Sequence, residues 1–556
     1  MNYTLSINCA HCAKTCVTLI GIGLLGVAPV ANARVTQINI IETEAPTFGG
    51  ASFGSVGQYE RIEGTITGEV DPKDPLNAVI VDIDRAPKNT NGTVGYTATF
   101  QILRPIDLDK GNHRVIFELP NRGRTNVLGI FNDSQTANTT TSSGDPGNAF
   151  LMNQGYAIVE GAWDTSAQGA GLFTVQFPIA TRKDGSTITG PATEEFVIDV
   201  GATPASEPLT YPAATADKSK AFLTVRENYG DMPQPVPVNG WDYTDTTMLN
   251  AVKLTSGNFG GPGSFGPTAL YEFTYIAKQP VVVGLGFASL RDLATFLRNA
   301  KTDDNGVANP LVGDVRAIYT VCSSQPCRTT RDFVLFGFNE AEHSQQKALK
   351  GQHLDHEKVF DVLDLDDWAS MGRDPPGNRV PRLADKTLAP ALPQSGMGFP
   401  NIPGVVYNGI HHTGDLLDFG PRFDDGILTV LPPVVSTPYE VYIPKTDRDG
   451  NDIAGIRTPD VAVPIATYTG WALRAETDPQ DADGCDASGQ RLPFAATKTA
   501  RLAVGDPRLS LQERYKDHAT YVSLVTAATQ RLEHERLLLD QDVQAYIAAA
   551  EAAAVP

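Results

Sequence analysis

Between residues 281 and 349 the sequence alternates between two periodicities, and this alternation constrains the fold more than any other feature. The apolar, β-branched run at 281–287 reads as a buried strand. Ser289 then reads as the N-cap of a helix over 290–300, with Leu290, Leu293, Ala294 and Leu297 on one face and Asp292 at the third helical position. A second apolar run at 317–321 breaks at Cys322-Ser323-Ser324-Gln325-Pro326-Cys327, and helical periodicity resumes over 328–349. Strand, helix, strand, helix predicts a parallel sheet covered by helices.

The turn in that pattern is also where a reactive serine would stand. When a serine is held on a sharp strand-to-helix turn, the residues two before and two after it must be small, because backbones crowd there. Ser324 has the spacing of G-x-S-x-G, although Cys322 and Pro326 stand where glycines are expected. A plain turn is the alternative. Pro326 is tolerated only where its missing N–H is not needed, as in the first turn of a helix.

With 556 residues, 41% of them apolar, the chain can bury a large core, and its net charge of -20 makes nucleic acid and anionic membrane surfaces poor partners. Residues 1–33 read as an export signal. Lys14 precedes the apolar run 17–30, and Ala31-Asn32-Ala33 offers a small-x-small site, so cleavage after Ala33 and a periplasmic or secreted location are expected. Cys9, His11, Cys12 and Cys16 fall in the segment that would be removed. No later stretch supplies about eighteen apolar residues in a row, so no membrane span is expected in the mature chain. Removing the signal leaves Cys322, Cys327 and Cys485. A sharp turn at Ser324 would bring Cys322 and Cys327 within the roughly 7 Å that a disulfide needs between Cα atoms; three free thiols are the alternative.

The part over 34–260 is β-rich, with strands expected at 78–83, 97–103, 114–119 and 156–160 and a long polar loop at 134–148. The turn-bearing part covers 261–370. The rest, 371–556, passes through a stretch rich in Pro and Gly and returns to helical periodicity over 511–553. Gly49, Gly50, Gly54 and Gly57 read as turn glycines rather than a phosphate cradle.

Several segments together resemble the bacterial alpha/beta hydrolase domain proteins: PTFGGASFGSVGQYE (46–60), GEVDPKDPLNAVIVDID (68–84), NRG (121–123), GNAFLMNQGYAIVEGAWD (147–164), YEFTYIAK (271–278), GLGFASLRDLATFLR (284–298), RDFVLFGFNE (331–340), LDFGPRFDDGI (417–427) and VPIATYTGWALR (463–474). The resemblance implies one alpha/beta-hydrolase-like domain over 34–556, a mostly parallel sheet flanked by helices, and a β-rich N-terminal part. Where such proteins read G-x-S-Q-S-G-R, this chain reads CSSQPCR over 322–328, which sets Ser324 on the nucleophile and matches Gln325 and Arg328. After GFNE the family carries a long stretch with further strands, the acid and a histidine loop. Here Trp368 follows by only about thirty residues, so most of that stretch is missing and no acid is carried over.

Catalysis by a serine needs a base and a group that orients it, in the order Ser, acid, His. His353, in a short echo of the histidine loop, is the candidate base, with His343, His356, His411 and His412 as rivals. Asp355, Glu357, Asp361, Asp364, Asp366 and Asp367 form an acidic run that equally reads as a solvated face. A metal site from His353, Asp355, His356 and Glu357 would lack the helical H-E-x-x-H pattern, so no metal is expected. The N–H of Gln325 and the Asn121-Arg122-Gly123 turn, with Asn121 as second donor, are the oxyanion candidates. No G-x-G-x-x-G after a strand, P-loop or kinase signature occurs, and no nucleotide cofactor is implied. The expected function is an exported serine hydrolase acting on a small carboxylic ester. The alternatives are a catalytically silent hydrolase scaffold that binds or supports, and a deletion product with exposed sheet edges. Oligomeric state is not legible.

Overall fold

The computed structural model describes residues 34–135, 140–198, 206–226, 232–255, 269–340, 386–390, 396, 398–405, 415–423, 429–430, 433–438, 442–473, 484–485 and 489–556. The expected signal peptide, His343, His353, His356, His411, His412 and the acidic run at 355–367 lie outside the described residues, as do the part boundaries drawn at 260 and 370.

The main sheet grows from long strands whose side chains alternate between its two faces. β1 (Arg34–Glu44), β2 (Gly57–Val70) and β3 (Val94–Pro105) pair antiparallel, then come β4 (Arg114–Glu118) and β5 (Ala157–Gly161). Two short helices, α1 (Val127–Asn132) and α2 (Phe150–Asn153), lie between β4 and β5 in the chain. Helix α3 (Leu285–Asn299) leads on to β6 (Ala317–Val321), and α4 (Gln325–Leu335) follows directly. The order across the sheet is β1-β2-β3-β5-β4-β6.

The sheet is mixed, where a mostly parallel one was expected. β5–β4 and β4–β6 are parallel, whereas β1–β2, β2–β3 and β3–β5 are antiparallel. The parallel strands are short and apolar, with every residue of β5 and four of five in β4 buried, as strands covered on both faces must be. On one face Phe100, Ile102, Val115, Phe117 and Val159 pack under Leu290, Leu293 and Leu297 of α3; on the other Leu103, Ile116 and Ile158 pack under Val127, Leu128, Leu151 and Met152 of α1 and α2.

Two expected strands are absent. Residues 78–82 are turns between two 3₁₀ helices, Pro75–Asn77 and Ile83–Arg85; at the first, Asp74 accepts the Leu76 N–H, Pro75 opens the helix, and Asn77 Nδ2 donates to the Asp71 carbonyl. Ile80 and Ile83 are buried three residues apart while Val79 and Val81 are exposed, so a turn period fits where alternation was read. The run 281–287 turns helical at Leu285, with Gly284 rather than Ser289 as the N-cap. Ser289 is instead buried inside α3, where its hydroxyl donates to the Gly286 and Ala162 carbonyls. Helix α4 begins three residues before the expected start and stops at Leu335, ahead of Gly337 at φ 83°.

A second β unit stands apart from the main sheet. Gln234–Val236, Phe222–Arg226, Ala269–Lys278 and Thr189–Ile198 form an antiparallel sheet whose core gathers Trp241, Tyr271, Phe273 and Tyr275. Near the C-terminus the expected helical stretch is three helices, α5 (Leu511–Arg514), α6 (His518–His534) and α7 (Asp540–Ala552). Ser510 and Glu513 form a reciprocal capping box at the first, and Asp517 caps the second through the Thr520 N–H.

Candidate active site around Ser324

The carboxyl ends of β4, β5 and β6 share one edge of the sheet, and Ser324 follows directly from β6. Its backbone has φ 66° and ψ -121°, a conformation that an L-residue adopts at a cost of about 1–3 kcal/mol. The turn raises the serine clear of the sheet, and its side chain is exposed. Cys322 and Cys327 are disulfide-bonded across it, with Cα atoms 5.0 Å apart, as the spacing suggested. Pro326 is buried in the first turn of α4, where no N–H is required. Phe333 at the far end of α4 and Phe338 beyond it anchor the helix by stacking around Phe287 of α3, with ring centroids 5.0–6.5 Å apart.

Gln325 opens α4 directly after Ser324, so its backbone N–H has no helical partner. Its side chain turns inward, where Nε2 donates to Asp164 Oδ2 at 3.2 Å and the buried Oε1 has no hydrogen bond.

The loop after β4 leans on the same turn. The Leu119 N–H donates to the Val321 carbonyl at 3.3 Å, Asn121 Nδ2 to the Ser323 carbonyl at 3.4 Å, and Trp163 Nε1 to the Pro120 carbonyl at 2.9 Å. Asn121 and Arg124 exchange backbone hydrogen bonds at 2.8 and 3.0 Å around Arg122 and Gly123, both at positive φ (49° and 77°). Positive φ at both central residues marks a tight type I′ turn. Gly123 is required there, since a Cβ would come within 2.8 Å of the Phe173 carbonyl oxygen and 2.9 Å of Ala167 Cβ. The N–H of Asn121 is thus occupied by the Arg124 carbonyl, and the N–H of this turn with no partner among the described residues belongs to Arg122.

Two acids under this edge had drawn no attention in the sequence. Glu118 and Glu160 are register partners at the ends of β4 and β5, both essentially buried. Glu118 accepts the N–H groups of Asn126 and Val127 at 2.6 and 3.0 Å, and burial pushes its carboxyl up to about 7 against their pull. Burial, with the Glu118 charge next in size, pushes Glu160 up to about 8, opposed by the Gln101 amide. The signal was an acid closing an otherwise apolar run, in RVIFE and AIVEG.

Among the described residues one histidine is paired with a carboxylate on the main sheet, His113 Nδ1 to Asp314 Oδ1 at 2.5 Å. It precedes β4, at the amino end of the parallel strands, so about five residues of strand, roughly 16 Å, separate it from Ser324. It cannot act as that serine's base.

A cavity of about 310 Å³ opens beside the turn, walled by Glu118, Asn121, Arg122, Arg124 and Ser323. A second, of about 230 Å³, lies on the Asp164 side and reaches Thr329 of α4. An exposed serine on a sharp turn, nearby backbone N–H groups without a partner among the described residues and an adjoining cavity are features that acyl transfer to a serine uses on its nucleophile side.

The model of the family described as alpha/beta hydrolase domain matches residues 359–548, about a third of the chain and all of it beyond Ser324. Of the resembling segments, 417–427 and 463–474 lie inside the match. No curated protein and no solved structure matches the chain.

Proposed function

We propose that this chain, about a third of which matches the alpha/beta hydrolase domain model, is an exported serine hydrolase acting on carboxylic esters, with Ser324 as nucleophile. The observation that carries the reading is the exposed serine at φ 66° and ψ -121°, between a parallel strand and the helix it opens. Ser324 Oγ forms a bond to the acyl carbon while its proton passes to a base, for which His353 is the candidate. The ester C–O bond breaks and the leaving alcohol takes that proton. Water then adds its OH to the acyl carbon, the bond from that carbon to Ser324 Oγ breaks, and the water's remaining proton passes through the base to Ser324 Oγ. The N–H groups of Gln325 and Arg122 would receive the oxyanion, Arg122 taking the place first given to Asn121. Export rests on the signal expected to be cut after Ala33.

A silent scaffold is the second reading. It is favoured by the Cys322–Cys327 bond, which ties the flanks of Ser324 where small residues were expected. Hydrolysis of short 4-nitrophenyl esters by the purified protein and by Ser324→Ala separates the two. The enzyme reading expects activity that falls roughly a thousandfold or more in the variant. Equal rates for the two proteins, or no hydrolysis by well-folded protein, would count against it.

A further inference from the structure

The cavity that Ser323 helps to wall, one residue before Ser324, is small and carries two arginines in an acidic chain. Arg122 and Arg124 both line it, and neither has an ion-pair partner among the described residues, although the chain carries 64 acidic residues against 44 Lys and Arg. Among those residues the only side-chain hydrogen bond of either is from Arg122 Nη1 to its own neighbour, Asn121 Oδ1, at 3.3 Å. The one acid in the wall, Glu118, turns its carboxyl oxygens to the N–H groups of Asn126 and Val127. Its proton affinity, raised by burial to about 7, further reduces the negative charge it can offer the guanidiniums near neutrality. Both arginines leave a turn fixed by two backbone hydrogen bonds and by the packing of Gly123 against Phe173 and Ala167. Their starting points are therefore set before any ligand arrives.

Guanidinium groups recognise carboxylates through paired N–H donors, and a fixed backbone lowers the cost of arranging them. A volume of about 310 Å³ stands at the small end of ligand cavities, enough for a few carbons and a carboxylate but not for a long acyl chain. We propose that Arg122 and Arg124 form a carboxylate subsite beside Ser324, so that the ester taken is a half-ester of a short dicarboxylic acid. The inference rests on the serine hydrolase reading for the reaction, but the subsite can be tested without it.

The test is calorimetric titration of the purified protein with succinate, alongside hydrolysis of methyl hydrogen succinate and of methyl 4-methylpentanoate, whose isopropyl group stands where the carboxylate is. Saturable succinate binding is expected, weakened roughly tenfold or more in Arg124→Gln and further in the Arg122→Gln/Arg124→Gln pair. The half-ester should turn over at least about tenfold faster than its neutral counterpart. Succinate binding without hydrolysis of either ester would uphold the subsite and sink the serine reading. Equal hydrolysis of both esters with no succinate binding would overturn the subsite and leave the serine reading standing. Binding unchanged in the paired variant would also overturn it.

Discussion

Replacing Glu160 by Gln should remove most of a loss of stability that the wild-type protein suffers between pH 4.5 and 8. Glu160 is fully buried, hydrogen-bonded by Gln101 Nε2 at 3.2 Å, and its carboxyl is raised from 4.5 to about 8, first by burial and then by the charge of Glu118, with Glu63 of β2 adding to it. Below pH 4.5 the group is protonated in both folded and unfolded chains and has no effect on the balance. Between 4.5 and 8 the unfolded chain releases a proton that the folded protein keeps, so stability falls as pH rises, and above 8 the loss is complete. At about 1.4 kcal/mol per unit, the loss is on the order of 5 kcal/mol. The amide in Glu160→Gln would keep the shape and carry no charge at any pH. Urea unfolding of both proteins at pH 4.5 and 8.5 reads the difference directly. The variant should be more stable than wild type at pH 8.5 by several kcal/mol relative to their difference at pH 4.5. The same pH dependence in both would refute the burial argument.

Other consequences follow from single contacts. Reducing the Cys322–Cys327 bond, or Cys327→Ser, opens a ring of six residues and should cost about 2 kcal/mol in guanidinium unfolding with and without reductant. Gly123→Ala should destabilise by roughly 1–3 kcal/mol, since φ is 77° and the new methyl meets the Phe173 carbonyl, and its thermal midpoint should drop accordingly. Trp163→Phe loses the donor to Pro120 and should cost about 1 kcal/mol in the same measurement while loosening the loop that carries Arg122.

The strand-turn-helix around Ser324 was legible because it is written locally. A β-branched run, a turn and a helix with Pro in its first turn need no distant partner to be recognised, and the cysteine spacing was sufficient to suggest their pairing. The run at 78–83 misled because Val79-Ile80-Val81 has strand composition, while Asp74, Pro75 and Asn77 just before it satisfy a 3₁₀ turn. The glycine at 284 hid the true start of α3, since a buried Ser inside the helix resembles a cap when its partners Gly286 and Ala162 are unknown. Glu118 and Glu160 were out of reach for a different reason: only the pairing of β4 with β5, formed across some forty residues of chain, makes two acids neighbours. That the Asn121 N–H is occupied likewise depends on which carbonyl it meets, and that is a property of the closed turn.

The central claim, that Ser324 is an activated nucleophile, is tested most directly by labelling the purified protein with a fluorophosphonate and mapping the adduct by peptide mass spectrometry. The account predicts one modified peptide carrying the label on Ser324, and no label in Ser324→Ala. A folded protein that stays unlabelled, or that is modified at another residue, would contradict it.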